Sequence, residues 1–193
     1  TFSINSIPLN DARTYHLISR GDTTGVFQLE SSGMRSLLMK MKPDHFDDIV
    51  AAVALYRPGP MENIPLYLEG RKNKNNITYL VKELEPILKS TYGIMIYQEQ
   101  IMQIAQVIAG FSLGRADILR KAVSKKDESM MASMKEEFLQ GAIKKGFDEK
   151  IALKLYQMIE KFANYGFNKS HSVAYGYMAY QLAYLKANYP LYF

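Results

Sequence analysis

Apolar positions recur along most of the chain at intervals of three and four residues, the period of an α-helix with one buried face. Asn10 or Asp11 is placed to cap a helix over 11–20, with Gly21 behind it. Met34, Leu37, Leu38 and Met41 share a second helical face after a cap at Ser31 or Ser32, and Pro43 closes that segment. Asp44 is expected to cap a third helix over 45–56, which stops at the RPGP sequence of 57–60 because two prolines oppose further helix and fix a rigid turn. A fourth is predicted over 62–70. Further along, Ile101, Ile104, Ala105 and Ile108 mark one face of a helix over 94–110, with Gly110 as its stop. Helices follow over 114–123 behind Ser112, 127–145 before Gly146, 149–163 behind Asp148, and 170–188. Strand alternation is scarce: 24–29 reads as a short extended segment and 77–80 as a short strand. The pattern predicts a mainly α, multi-helix fold with at most a small β element and no repeat. The polar run RKNKNN at 71–76 reads as an exposed loop and as the best candidate for an internal subdivision of 1–193.

Composition narrows the function classes. The chain has no cysteine, which removes disulfides, thiolate zinc sites and cysteine nucleophiles and favours a reducing compartment. Its three histidines, His16, His45 and His171, are far apart in sequence, against a His-rich metal site. The longest apolar run, 49–56, is well short of the roughly 20 residues that cross a bilayer, and no charged-then-apolar leader opens the chain. A soluble, cytoplasmic chain with no membrane partner is expected. It opens on Thr1 and closes on an aromatic-rich YPLYF, so it is expected to be a piece of a longer protein.

Charge adds a direction. Twenty-four Lys and Arg against 19 Asp and Glu give a net charge of +5, compatible with a polyanionic partner. The densest window, 115–126, holds five cations, Arg115, Arg120, Lys121, Lys125 and Lys126, against the single anion Asp117. On a helix, Lys121 and Lys125 lie one turn apart, able to hold several phosphate oxygens, Arg as a planar fork and Lys as a point charge. The same pattern also describes a solvated helix end whose cations favour the C-terminal dipole. In YGFNKSHS, residues 165–172, Asn168, Lys169, Ser170 and His171 gather at the predicted start of the last helix, a place that can receive an anion, or else one where Ser170 simply caps the helix with His171 partly buried. Tyr97 and Gln98, within YQEQ at 97–100, offer polar groups for a sugar or base edge, or else helix-start chemistry with a buried Tyr. Tyr177, Tyr180 and Tyr184 form one stripe on the last helix, and Tyr175, Met178, Leu182 and Tyr189 another, patterns that suit a core as well as base stacking.

Several templates are absent: no phosphate-binding GxxxxGK[ST] loop, no GxGxxG and no GxSxG elbow. The acidic pairs Asp47–Asp48 and Glu136–Glu137 are adjacent positions within predicted helices and diverge by about 100°, a poor arrangement for a divalent metal. The chain shows no self-sufficient phosphoryl-transfer centre.

Five segments in series carry a family resemblance: GVFQLES at 25–31, VALYRPGP at 53–60, TYGIMIYQEQ at 91–100, LRKA at 119–122 followed by Lys125 and Lys126, and YGFNKSHS at 165–172. Together they resemble the α subunit of bacterial DNA polymerase III, of the replicative family C, over nearly the whole chain and in the same order. The motifs match the form without a built-in proofreading exonuclease better than the other bacterial form. The resemblance implies the helical fingers region, beginning after the palm and lacking the palm's catalytic aspartates. It therefore implies no catalytic residue and no cofactor here, with Mg2+ bound by the palm of the parent enzyme, and an isolated chain that does not polymerise.

By the same resemblance the partners are an incoming dNTP, primer–template DNA, the palm and neighbouring domains, and, through other parts of the protein, the sliding clamp and other replisome subunits. Arg120 and Lys121 fall on the basic pair expected near the triphosphate, with Asn168, Lys169, Ser170 and His171 at the same nucleotide-facing pocket. Arg57, Tyr97 and Gln98 are weaker nucleotide-binding candidates, and Arg115, Lys125 and Lys126 are candidates for DNA or phosphate contact. Two positions depart from the family pattern: Lys121 stands where a second Arg is commoner, which loses the bidentate fork, and Arg115 stands where Gly is frequent and could compensate. The competing reading, from another class, is a non-catalytic helical module that binds nucleic acid or protein through its basic face.

Overall fold

The computed structural model describes residues 2–163 and 166–193. The chain is mainly α, with ten α-helices among the described residues and no strand there, only an isolated parallel bridge between Tyr97 and Phe167. No described helix is long and apolar enough to cross a membrane. The chain divides into two compact units, Thr1–Arg57 with Lys169–Phe193, and Pro58–Asn168. Residues 71–76, the expected subdivision, lie inside the second unit.

The first unit contains α1 (Ala12–Ser19), α2 (Ser32–Met41), α3 (Phe46–Leu55) and α10 (Lys169–Asn188). Asp11 caps α1, its carboxylate accepting from the Thr14 N–H at 2.9 Å, and Ser31 caps α2. The third helix begins one residue later than Asp44 suggested. Its N-cap is His45, and the buried Asp48 reaches back to accept from the N–H groups of Asp44 and His45 at 3.2 and 3.3 Å. From Asp48 to Leu55 every residue of α3 is buried, as expected of a helix that is apolar all round. It packs on α10, where Ser172 donates to the Val50 carbonyl at 2.5 Å and Gly176 faces Val50. Tyr180 joins α10 to the N-terminal segment, accepting from the Asp11 N–H and donating to the Pro8 carbonyl, both at 3.0 Å. Residues 24–29 form turns rather than an extended segment, because Gly25 (φ +79°) and Gln28 (φ 65°) take left-handed conformations that a strand cannot hold. The Thr23 hydroxyl closes that loop on the Leu29 carbonyl at 2.5 Å.

The second unit opens on the rigid turn read from the sequence, with Gly59 at φ 96° and Pro60 starting a 3-10 turn, Pro60–Asn63. It continues through α4 (Ile64–Lys72), α5 (Glu85–Leu88), α6 (Gln98–Ala109), α7 (Leu113–Lys125), α8 (Glu128–Lys144) and α9 (Glu149–Phe162). The expected strand at 77–80 is irregular chain. One apolar core unites α5 to α9, through Ile101, Ile104, Leu119, Met134, Phe138 and Leu155 among others. Phe138 meets Phe111 edge-on and Tyr156 at a tilt within it, with centroids 6.1 and 5.2 Å apart, and Tyr156 donates to the Met131 carbonyl. Helix α6 starts at Gln98 rather than at 94 because Tyr97 is extended and bridged to Phe167, by Gln98 N–H to Phe167 O at 2.9 Å and Phe167 N–H to Ile96 O at 3.2 Å.

Candidate functional site

The basic window 115–126 is helix α7. Ser112 caps it, accepting from the Arg115 N–H at 3.2 Å, and Ala116, Leu119, Ala122 and Val123 form its buried stripe. Burying that stripe turns the charged positions between them outward. They are not five free cations. Arg115 makes a two-pronged pair with Glu137 of α8, with Nε 3.0 and 2.8 Å from the two carboxylate oxygens and Nη2 also bonded. That hydrogen bond to Glu137 raises the Arg115 pKa further, and the pair ties its guanidinium to α8. Asp117 takes two cations at once: Oδ1 accepts from Arg120 Nε at 2.9 Å and lies 2.8 Å from Nη2, and Oδ2 lies 2.8 Å from Lys121 Nζ. Hydrogen bonds from Lys121 and then Arg120 hold its carboxyl below the usual range.

Lys121 remains 59% exposed and Arg120 26%. Lys125 and Lys126 are exposed, with no acidic partner among the described residues. Lys126 ends the helix in a left-handed conformation, φ 56°. The Ser124 hydroxyl donates to the Arg120 carbonyl at 2.8 Å and plays no part in the charged face.

The segment 165–172 is shared between the units. Tyr165 lies outside the described residues. Asn168 ends the second unit as an exposed residue. In the first unit, Lys169 is half-buried and Ser170 and His171 are exposed on the first turn of α10, which Ser172 anchors to α3. The His171 ring lies 4.1 Å from that of Tyr175, which in turn stacks on Phe27 at 5.4 Å. Arg57, also in the first unit, is half-buried, donates from Nε to the Ala54 carbonyl at 3.2 Å, and has its pKa lowered by burial.

Tyr97 is 3% exposed, so of the pair singled out in YQEQ only Gln98, half-buried, presents surface. The residue that the sequence reading passed over there is Gln100. Its buried Oε1 accepts from the N–H groups of Ile96 and Tyr97 at 2.8 and 3.0 Å, and its Nε2 donates to Thr91 Oγ1 at 2.9 Å and the Ile87 carbonyl at 3.3 Å. Its signal was a Gln three residues into a helix, the reach-back half of a capping box. On α10, Tyr180 is core, while Tyr177 meets Phe46 edge-on at 6.4 Å.

One group of acidic and histidine side chains among the described residues is close enough to share an ion: Asp44, His45 and Asp48. Asp48 Oδ2 is already the acceptor that starts α3, and Asp44 Oδ1 lies 2.5 Å from His45 Nδ1. This is helix-start chemistry and offers no fit to a catalytic magnesium pair.

A helical framework that presents a paired-cation helix is the class the fold defines. Residues 1–146 match the family described as the bacterial DNA polymerase III alpha subunit finger domain. The chain is 58% identical over 190 residues, 98% of its length, to the DNA polymerase III subunit alpha of Halalkalibacterium halodurans. It is 53% identical over 190 residues, again 98% of its length, to that of Staphylococcus epidermidis, and 54% identical over 186 residues, 95% of its length, to that of Aquifex aeolicus. It spans 17%, 18% and 16% of those proteins, respectively. The chain belongs to the finger-domain family of the bacterial DNA polymerase III alpha subunit.

Proposed function

We propose that this domain binds and orients the triphosphate of an incoming deoxynucleotide, together with the templating DNA, for nucleotidyl transfer carried out by a palm outside this chain. The observation that carries the reading is the Arg120–Asp117–Lys121 cluster. It holds a guanidinium and an ammonium side by side on an exposed helix turn, in a chain of this family. A triphosphate presents several anionic oxygens within a few ångströms of one another, and a fork donor beside a point charge suits that distribution. Lys125 and Lys126 extend the positive potential by one further turn and are assigned to DNA phosphates. Asn168, Lys169, Ser170 and His171, with Gln98 and Arg57 as weaker positions, are assigned to nucleotide contact on the family resemblance alone. Arg115 is assigned to α8, not to phosphate, because Glu137 occupies its fork. Tyr97, buried, is assigned to holding the start of α6.

Magnesium held by the palm would supply charge stabilisation at the attacking and leaving oxygens. This domain's part is placement and positive charge, in the cytoplasmic replication machinery. In the polymerase α subunit that contains this region, Arg120→Ala should lower kcat/KM for dNTP roughly 10- to 100-fold, as expected for the loss of a charge-assisted contact, with the melting temperature unchanged. An unchanged kcat/KM sinks the assignment. Duplex binding that depends steeply on salt, without preference for triphosphate over monophosphate, would favour a general nucleic-acid-binding module instead.

A further inference from the structure

Asp117 is the single anion of the 115–126 window, three residues before Arg120 and four before Lys121. Both spacings place its partners on the same side of a helix. The resulting arrangement is closer than a general attraction between neighbours: one oxygen receives two nitrogens of the same guanidinium, 2.9 and 2.8 Å away, and the other oxygen receives the ammonium at 2.8 Å. The remaining donors of Arg120 are taken by no described residue.

Two effects of such a carboxylate oppose one another. As a charge it reduces the positive potential of the face, which weakens every anion alike. As a scaffold it fixes two long side chains that would otherwise sample many rotamers, so that less freedom remains to be lost when a ligand binds. The doubled contact to Arg120 restrains the plane of its fork, which matters for a ligand with defined oxygen positions and hardly at all for a diffuse polyanion.

We propose that Asp117 is a positioning residue that sets Arg120 and Lys121 as one two-cation receptor for a polyphosphate, so that removing its charge weakens triphosphate recognition although the face becomes more positive. This rests on the nucleotide-orienting role assigned to Arg120 above. It also accounts for the Lys at 121: an ammonium held against Asp117 retains a fixed place without needing the bidentate geometry of an arginine.

The test is made in the α subunit that contains this region, comparing Asp117→Asn, Asp117→Glu and Arg120→Ala in steady-state incorporation and in primer–template binding across a salt series. Asp117→Asn should raise the KM for dNTP about three- to tenfold, as expected for releasing restrained side chains. Primer–template affinity at low salt should hold or tighten, and its logarithmic salt slope should steepen by up to about 1. Asp117→Glu, which keeps the charge on a longer arm, should fall between Asn and the parent. A KM that falls together with tighter DNA binding identifies a charge brake and overturns the proposal, as does a KM that does not move. If Asp117→Asn fails to fold, Asp117→Glu decides: a raised KM at an unchanged melting temperature supports positioning, and an unchanged KM refutes it. If Arg120→Ala leaves kcat/KM for dNTP untouched, the nucleotide reading itself has failed. If Arg120→Ala lowers kcat/KM and the Asp117 variants leave the KM unchanged, only the role of Asp117 has failed.

Discussion

At the scale of single residues, the polar side chains of this domain divide by what they hold. Gln100 serves four backbone and side-chain groups and is 4% exposed. Gln100→Leu would leave the N–H groups of Ile96 and Tyr97 without their acceptor in a dry site, at about 1–3 kcal/mol for each unsatisfied group. A loss of about 2–4 kcal/mol in urea unfolding is expected. A loss under about 0.5 kcal/mol would mean that water replaces the amide. The YQEQ segment also shows why residue roles were only partly legible. A Gln at the third helical position is a known reach-back signal, but it is normally read from a Ser or Thr at the N-cap, and here that position is Tyr97. The cluster at Asp117 lay within reach of the sequence, since offsets of three and four are face-sharing offsets on a helix. What the sequence withheld was Glu137, 22 residues away, which claims Arg115.

At the scale of elements, the helices were legible wherever a side chain caps them. Asp11, Ser31, Ser112, Asp127 and Asp148 each accept from the N–H groups that a new helix leaves open, and Gly110 closes α6 in the left-handed conformation. Ends without such a signal shifted. Helix α7 runs two residues past its predicted end at 123 because Lys126, not a glycine, takes the left-handed position. Packing between elements was not legible, and glycines show it best. A Cβ on Gly141 of α8 would lie 2.1 Å from the Ala109 carbonyl oxygen at the end of α6, so the two helices meet there backbone to backbone. A Cβ on Gly114, in the first turn of α7, would meet nothing within 4 Å. Both are helical glycines, for which alanine alone would gain up to about 1 kcal/mol. Gly114→Ala should therefore raise the melting temperature. Gly141→Ala should lower it, because separating α6 from α8 costs about 1–3 kcal/mol or more. Equal shifts in thermal melts monitored by circular dichroism would remove the close crossing from the account.

At the scale of the whole molecule, the boundary between units follows contacts that the hydrophobic pattern does not report. The polar run at 71–76 reflected exposure, and exposure is common inside a domain. The division lies instead at the 57–60 turn, visible in the sequence only as a turn, and between Asn168 and Lys169, inside a motif that reads as continuous. The two units therefore differ in how they can fold. Pro58–Asn168 is a single stretch with its own core of α5 to α9, whereas the first unit needs its last helix returned from more than a hundred residues away. Ser172 closes on Val50, Tyr180 on Pro8, and Asn188 donates to the Asp11 carboxylate at 3.0 Å, so that α10 completes what α1 and α3 begin. A fragment of residues 58–168 should unfold cooperatively with helical circular dichroism, while residues 1–57 alone should not. Non-cooperative unfolding of 58–168 would show that its core depends on the first unit. A cooperative result has a further use, since this fragment retains α7 with Arg120, Asp117 and Lys121. Titrating it with a deoxynucleoside triphosphate and its monophosphate would then measure what the paired-cation helix contributes without the first turn of α10.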